Sequence, residues 1–151
     1  MKYNPRTSEN TSIKEYCNWE DISLLTKIVV DKVQRSKKKY DIILGITNGG
    51  IIPARLIAQE LGIDHIQFIP VRYKKLLPNE MPNLDVTKEY LVVDDIYDTG
   101  DIFTKVYNAL RHFHCDYAFL MKRFDNIIEN RPTVFTGRIL NHEKWIVFPW
   151  E

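Results

Sequence analysis

One run of the chain, residues 91–101, constrains the fold more than any other. It reads LVVDDIYDTGD, in which an apolar strand leads into two adjacent acids, a third acid, a Thr-Gly turn and a predicted helix. In an open α/β sheet, ligands bind at the carboxyl ends of the strands. A turn followed by a helix N-terminus presents backbone N–H groups that hold phosphate. The run therefore predicts a sheet whose carboxyl edge carries acids beside an anion-binding turn.

Helices and strands alternate along the rest of the chain at the spacing of βαβ units. Asn18 before Asp21 predicts a capped helix start, and Pro53 and Gly62 suit the two ends of a later helix. The predicted helices cover about 21–38, 51–61 and 102–113. The predicted strands cover 41–46, 65–71, 89–93, 116–121, 133–136 and 144–148. This order predicts one α/β domain, 1–151, with a doubly wound, mostly parallel sheet.

Composition excludes several classes of partner. The chain has 151 residues and a formal net charge of +1, so it has room for a core and no bulk charge that favours nucleic acid. No apolar run approaches the ~20 residues that a membrane span needs. Two cysteines without CxxC spacing, and no recognisable secretory signal, favour a reducing compartment. We expect a cytoplasmic protein that binds neither nucleic acid nor membrane, with a loose polar arm at 1–12.

A glycine-containing loop follows the first long strand. It consists of Thr47, Asn48, Gly49 and Gly50. Glycines after a strand let the backbone approach a ligand closely and expose N–H groups. The pattern by itself fits a phosphate-binding loop and also a plain connection between strand and helix.

A polar segment, about 73–86, separates two predicted strands and contains Pro78 and Pro82. A loop of this length inside a compact domain is usually functional or disordered. Lys74 and Lys75 near its start fit two roles equally well, as ligands of an anion or as an exposed basic surface.

The run at 91–101 resembles the phosphoribosyl-pyrophosphate (PRPP) signature of type I phosphoribosyltransferases, and the closing segment WIVFPWE (145–151) resembles that of short xanthine–guanine-type enzymes. The resemblance implies the matching α/β fold with a C-terminal purine-binding hood, 122–151. It also implies a Mg²⁺-dependent purine-salvage enzyme. That enzyme converts PRPP and guanine, xanthine or hypoxanthine into a nucleoside 5′-monophosphate and pyrophosphate, and forms a homodimer or homotetramer.

The resemblance also implies roles for the residues of the signature. Asp94 and Asp95 face the ribose hydroxyls, directly or through Mg²⁺, and Asp98 accepts a proton from N7 of the purine. A helix N-cap is the structural alternative for Asp98, and it is compatible with that role. The 5′-phosphate is held by the turn, which comprises Tyr97, Asp98, Thr99, Gly100, Asp101 and Ile102.

Two further groups of residues receive roles in the same way. Pyrophosphate is expected at Thr47, Asn48, Gly49, Gly50, Arg72 and Lys74, with a non-proline cis peptide between the first two. Lys122 donates to O6 of the purine, Trp145 stacks on its ring, and the carbonyl of Ile146 reads its far edge. A core aromatic is the alternative for Trp145.

Three positions depart from the family pattern. Asn48 replaces a basic residue, so one positive charge near pyrophosphate is lost. Asp101 brings a negative charge to the phosphate turn, and Ile102 replaces a threonine and removes a hydroxyl. These departures leave two alternatives open, a PRPP-binding regulatory protein and a phosphoribosyltransferase with another base specificity. A phospho-acceptor receiver domain is disfavoured, because its acid pair follows the first strand.

Overall fold

The computed structural model describes residues 13–125, 128 and 132–151. Its helices and strands follow one another in this order: β1 (Lys14–Tyr16), α1 (Trp19–Ser36), β2 (Ile42–Ile46), α2 (Ile51–Leu61), β3 (Ile66–Ile69), β4 (Val71–Arg72), β5 (Lys75–Leu76), a 3₁₀ turn (Pro78–Glu80), β6 (Glu89–Tyr97), α3 (Asp101–Leu110), β7 (His114–Arg123), β8 (Val134–Leu140) and β9 (Trp145–Val147).

The central sheet has five parallel strands in the order β3-β2-β6-β7-β8. Two small strand pairs stand apart from it, a parallel pair of β1 with β9 and an antiparallel hairpin of β4 with β5. The predicted α/β fold with a mostly parallel sheet is confirmed. Because β2 and β6 are parallel neighbours, their carboxyl ends are adjacent, and Gly45 is in register with Val93.

Both faces of the sheet are covered, which explains the apolar character of the inner strands. Side chains alternate along β6: Leu91 and Val93 belong to one core cluster, and Tyr90 and Val92 belong to the other. Helices α1 and α2 pack on the first face, and α3 packs on the second. The functional loops therefore stand on a sheet that is buried on both sides.

The helix ends agree with the local signals. Asn18 Oδ1 accepts from the N–H of Asp21 at 2.8 Å, and Asp21 Oδ2 accepts from the N–H of Asn18 at 2.9 Å, so α1 begins with a capping box. Helix α2 covers Ile51–Leu61 as predicted, and Gly62 follows it with φ +72°. Helix α1 starts two residues earlier and ends two residues earlier than predicted, and α3 starts one residue earlier and ends three residues earlier.

Strand bounds also differ from the sequence-based prediction, and the largest differences are these. Strand β6 continues to Tyr97 instead of ending at Val93, because β7 supplies hydrogen-bonding partners along the acidic stretch. Strand β1 was not predicted at all. The polar segment 73–86 contains β5 and the 3₁₀ turn, and Leu76, Met81 and Leu84 pack against the core.

Some predictions fall on residues without a description. The loose arm at 1–12 and five positions of the predicted turn region 125–132 lie outside the described residues. Closure of the segment 73–86 over a ligand stays a prediction. Among the described helices, none has the length and apolarity of a membrane span.

Candidate active site

The two adjacent acids, Asp94 and Asp95, lie inside β6 with side chains 3% and 1% exposed. The N–H of Asp95 donates to Asp94 Oδ1 at 2.8 Å, and the N–H of Ile96 donates to Asp95 Oδ1 at 2.7 Å. Each carboxylate is thus held by the backbone of the next residue. A buried carboxylate needs such compensation, since isolated burial of charge is costly.

The glycine-containing loop lies directly beside this pair, because β2 and β6 are neighbours. Its Thr47–Asn48 peptide is cis, as the resemblance implies. Within the described residues, the N–H groups of Asn48 and Gly49 have no hydrogen-bond acceptor. Backbone donors in a loop of this kind form an anion-binding concavity. The predicted pyrophosphate loop therefore adjoins the predicted ribose acids.

Thr47 has a structural contact that the sequence did not indicate. Its hydroxyl lies 3.2 Å and 3.3 Å from the carbonyls of Ile69 and Val71, and it accepts from the N–H of Val71 at 3.1 Å. The side chain thus joins β2 to the start of the hairpin. A ligand at this loop would meet its backbone and the exposed side chain of Asn48.

The turn after β6 has the properties of a phosphate cradle. Gly100 has φ +90°, and α3 begins at the next residue. Within the described part of the chain, the N–H groups of Asp98, Thr99, Gly100 and Ile102 have no acceptor. Four unsatisfied donors beside a helix N-terminus favour a bound anion.

A cavity opens at the same turn. It is lined by residues 97–103, by Asp94 and Ile96 of β6, and by the half-buried Lys74. The hairpin reaches the turn because Lys105 Nζ of α3 donates to the carbonyl of Lys74 at 2.7 Å. Lys74, predicted at the pyrophosphate, thus lies by the predicted 5′-phosphate turn.

Arg72 of the hairpin is engaged by an acid. Its Nη1 and Nη2 atoms lie 3.1 Å and 2.6 Å from the two carboxylate oxygens of Glu80. The hydrogen bond from Arg72 lowers the pKa of Glu80. Both side chains are about half exposed. A pyrophosphate role for Arg72 would therefore require exchange of this partner.

Asp98, the predicted proton acceptor, accepts a hydrogen bond from Arg123, which the sequence analysis did not identify as a site residue. Arg123 Nε donates to Asp98 Oδ1 at 3.0 Å, with the side chains 5% and 17% exposed. The one available signal was a basic residue directly after Lys122 at the end of a buried strand. The N-cap of α3 is Gly100 and no side chain caps it, so the structural alternative for Asp98, a helix N-cap, is wrong.

The predicted purine-binding residues lie on β7 and β9. Lys122 is 7% exposed, stands in register with Tyr97, and has its Nζ 3.7 Å from Asp125 Oδ1. Trp145 is half-buried and is absent from both core clusters, which favours stacking over a core role. Ile146 is 4% exposed, and its strand pairs with β1.

The donor set of the acid pair suits Mg²⁺, which prefers oxygen ligands and keeps several waters. Within the described residues, no group of three or more His, Cys, Asp or Glu side chains has the arrangement of a metal site. Because consecutive side chains of β6 project to opposite faces, either carboxylate fits a cation whose other ligands come from substrate and water. Asp94 and Asp95 are therefore the residues that would hold it.

Comparison with known proteins identifies the class. No family model matches the chain. A solved structure of purine phosphoribosyltransferase from Pyrococcus horikoshii Ot3 superposes with a TM-score of 0.70 at 26% identity, covering 91% of this chain and 93% of that one. The fold is thus that of a phosphoribosyltransferase, with the site at the carboxyl edge of its sheet.

Sequence relatives lead to the same class. The xanthine-guanine phosphoribosyltransferase of Desulfotalea psychrophila is 31% identical over 116 residues, which cover 72% of this chain and 69% of the relative. The enzyme of that name from Chromohalobacter salexigens is 29% identical over 127 residues, covering 78% and 73%. The chain belongs to the type I phosphoribosyltransferase family.

Proposed function

We propose that this protein is a 6-oxopurine phosphoribosyltransferase of purine salvage. It would convert PRPP and guanine, xanthine or hypoxanthine into the nucleoside 5′-monophosphate and pyrophosphate. The observation that carries the proposal is the meeting of three features at the carboxyl ends of β2 and β6: the buried acid pair, the glycine-containing loop and the turn with unsatisfied N–H groups.

PRPP would lie across these three features. The 5′-phosphate takes the unsatisfied N–H groups of the turn and the hydroxyl of Thr99, with Lys74 beside them; these N–H groups belong to Asp98, Thr99, Gly100 and Ile102. The ribose hydroxyls face Asp94 and Asp95, and pyrophosphate takes the N–H groups of Asn48 and Gly49. Asp94 and Asp95 are the residues that would hold Mg²⁺, which when bound would supply positive charge beside the substrate.

The purine would lie between Lys122 and Trp145, with Asp98 near N7. The bond from C1′ to pyrophosphate breaks, a ring nitrogen bonds to C1′, and Asp98 accepts the proton that the ring loses from N7. Lys122 has donors and no acceptor, so it suits the O6 carbonyl and opposes the exocyclic amine of adenine. Holding both reactants in this geometry supplies much of the rate enhancement.

Product analysis tests the proposal. The protein is incubated with PRPP, Mg²⁺ and each of guanine, hypoxanthine, xanthine and adenine, and nucleotides are separated and quantified. We expect turnover of 6-oxopurines and none of adenine. Lys122→Met should raise the KM for the base at least tenfold, and Lys27→Met, which removes an exposed lysine of α1, should not. Efficient use of adenine would contradict the role of Lys122.

The departures at the pyrophosphate site favour one alternative, a PRPP-binding regulatory protein. Asn48 supplies no charge, and Arg72 is bound to Glu80. Calorimetry with PRPP and Mg²⁺, combined with the product analysis, separates the two functions, because a regulator would bind PRPP and form no nucleotide with any of the four bases.

We further propose that the enzyme acts in the cytoplasm as a homodimer or homotetramer. Members of its family usually assemble in this way. Light scattering at micromolar concentration, with and without PRPP and Mg²⁺, measures the assembly directly, and a mass close to the monomer's 17.9 kDa would contradict it.

A further inference from the structure

Arg123 links two parts of the site that are distant in sequence. Its Nε donates to Asp98 Oδ1 at 3.0 Å, and its Nη1 donates to the carbonyls of His142 and Lys144 at 2.9 Å each. The guanidinium is nearly excluded from solvent, since the side chain is 5% exposed. One buried group therefore contacts the predicted proton acceptor and the turn that leads into β9.

The turn at 142–144 is the last stretch of chain before Trp145. Within it, the N–H of Lys144 donates to His142 Nδ1 at 3.1 Å. Directly after it, the N–H of Trp145 donates to the carbonyl of Ile13 at 3.0 Å. The backbone from which the Trp145 ring projects is thus held by Arg123 on one side and by β1 on the other.

We propose that Arg123 is a positioning residue for the purine, which fixes the Asp98 carboxylate relative to the backbone that carries Trp145. This inference rests on the proposed function, because it assigns the two ends of the link to proton transfer and ring stacking. Binding of a purine by both Asp98 and Trp145 depends on the distance between these two residues. The contacts of the Arg123 side chain set that distance.

The geometry favours arginine over lysine at this position. A guanidinium presents five N–H groups in a planar fork, whereas a lysine ammonium is a compact charge on a flexible stem. The three acceptors of Arg123 belong to two different segments. A lysine would keep the charge beside Asp98 and lose the simultaneous contact with the 142–144 turn.

The link also leaves Asp98 competent to accept a proton. Arg123 occupies Oδ1, and within the described residues Oδ2 has no hydrogen-bond partner. The second oxygen is the one available to the purine. The fixed positive charge of Arg123 disfavours rotation of the carboxylate, because rotation would break a charge-assisted hydrogen bond.

The test compares Arg123→Lys and Arg123→Met with the wild type. KM for guanine, KM for PRPP and kcat are measured for each, with the Tm as a check on folding. We expect Arg123→Lys to raise the KM for guanine at least tenfold while the KM for PRPP changes less than twofold. Arg123→Met should raise the KM for guanine further and lower kcat, and Arg123→Lys carries the test if the methionine variant does not fold.

Arg35→Lys is the matched control, because Arg35 Nε lies 2.9 Å from Asp31 Oδ2 in an exposed pair on α1. It should leave all three constants unchanged. Amide hydrogen exchange without substrate gives an independent readout: residues 142–147 should exchange faster in Arg123→Lys than in the wild type.

The outcomes separate this inference from the proposed function. An active wild type whose Arg123→Lys variant shows an unchanged KM for guanine, or equal rises in both KM values, overturns the positioning role alone. A wild type that forms no nucleotide from any purine overturns the proposed function and this inference with it.

Discussion

Gly49 packs against the carboxylate of Asp95 so closely that a β-carbon at residue 49 would lie 2.7 Å from Asp95 Cγ and 2.8 Å from its Oδ1. These two residues come from different functional segments, the predicted pyrophosphate loop and the predicted ribose acids. Asp95 is 1% exposed, so protein atoms enclose its carboxylate. The absence of a side chain at residue 49 therefore allows the loop and the Asp95 carboxylate to keep their positions.

Gly49→Ala should displace the Asp95 carboxylate and the loop, and should raise the KM for PRPP at least tenfold. Gly62→Ala is the control, since Gly62 has φ +72° and nothing within 4 Å of its β-position. It should cost about 1–2 kcal/mol of stability through its left-handed backbone and leave the KM for PRPP unchanged. Steady-state kinetics and chemical denaturation measure the two effects, and equal KM values in the two variants would contradict the packing role.

Asp98→Asn should reduce kcat about 10²–10⁴-fold, the usual effect of removing a general base. Binding of PRPP should persist, because the phosphate turn uses backbone N–H groups. The amide oxygen of the variant still accepts from Arg123, so the pocket keeps its geometry. Single-turnover kinetics and PRPP calorimetry test this, with the exposed Asp31→Asn as control. An unchanged kcat would remove Asp98 from the mechanism.

Asp101→Asn and Asp101→Gly should each tighten PRPP binding. Two charges about 6 Å apart repel by about 0.7 kcal/mol in bulk water, which corresponds to roughly threefold in KM. That value suits an exposed side chain in the first turn of α3. Ile102→Thr should add a similar gain by restoring a hydroxyl.

The gain from Asp101→Asn should shrink at high salt, because salt screens exposed charges, whereas the gain from Ile102→Thr should not. KM for PRPP measured at about 0.05 M and 0.5 M salt separates the two effects. If neither variant at residue 101 binds more tightly at low salt, the carboxylate points away from the phosphate.

His142→Asn should reduce the loss of stability that the protein undergoes as the pH falls below about 6.5. Burial lowers the pKa of His142 from 6.5, with Arg123, Lys144 and Arg138 adding to the shift and Glu15 opposing it. Since the folded pKa lies below the unfolded value, the unfolded chain binds the proton first as pH falls. The stability contributed by neutral His142 is therefore present above about pH 6.5 and is lost progressively below it.

An asparagine at residue 142 can still accept from the N–H two residues on, and it does not titrate in this range. Between pH 7.5 and 5.5 the Tm of the wild type should fall further than the Tm of His142→Asn, because only the wild type has a titrating imidazole at residue 142. The exposed His65→Asn variant is the control and should follow the wild type. Parallel Tm profiles for wild type and His142→Asn would contradict the prediction.

The sequence alone determined the elements whose signals are local. The strand, acids, turn and helix at 91–101 were readable because apolar runs, Thr-Gly turns and helix starts depend on neighbouring residues. The ends of α2 were predicted for the same reason, since Pro53 and Gly62 mark helix termini directly. The acid pair and the glycine-containing loop could be recognised as functional without coordinates.

Only the tertiary structure decided which of these residues meet, because ladder partners and ion pairs depend on distances between segments remote in the chain. Pairing with β7 continues β6 through Asp94 and Asp95, and β1 forms a strand because it pairs with β9. The Thr47 hydroxyl accepts from the backbone N–H of Val71 in the hairpin, and Arg72 donates to the carboxylate of Glu80. No local pattern encodes the bond from Arg123 to Asp98, which exists because two parallel neighbouring strands, β6 and β7, end at the same edge of the sheet.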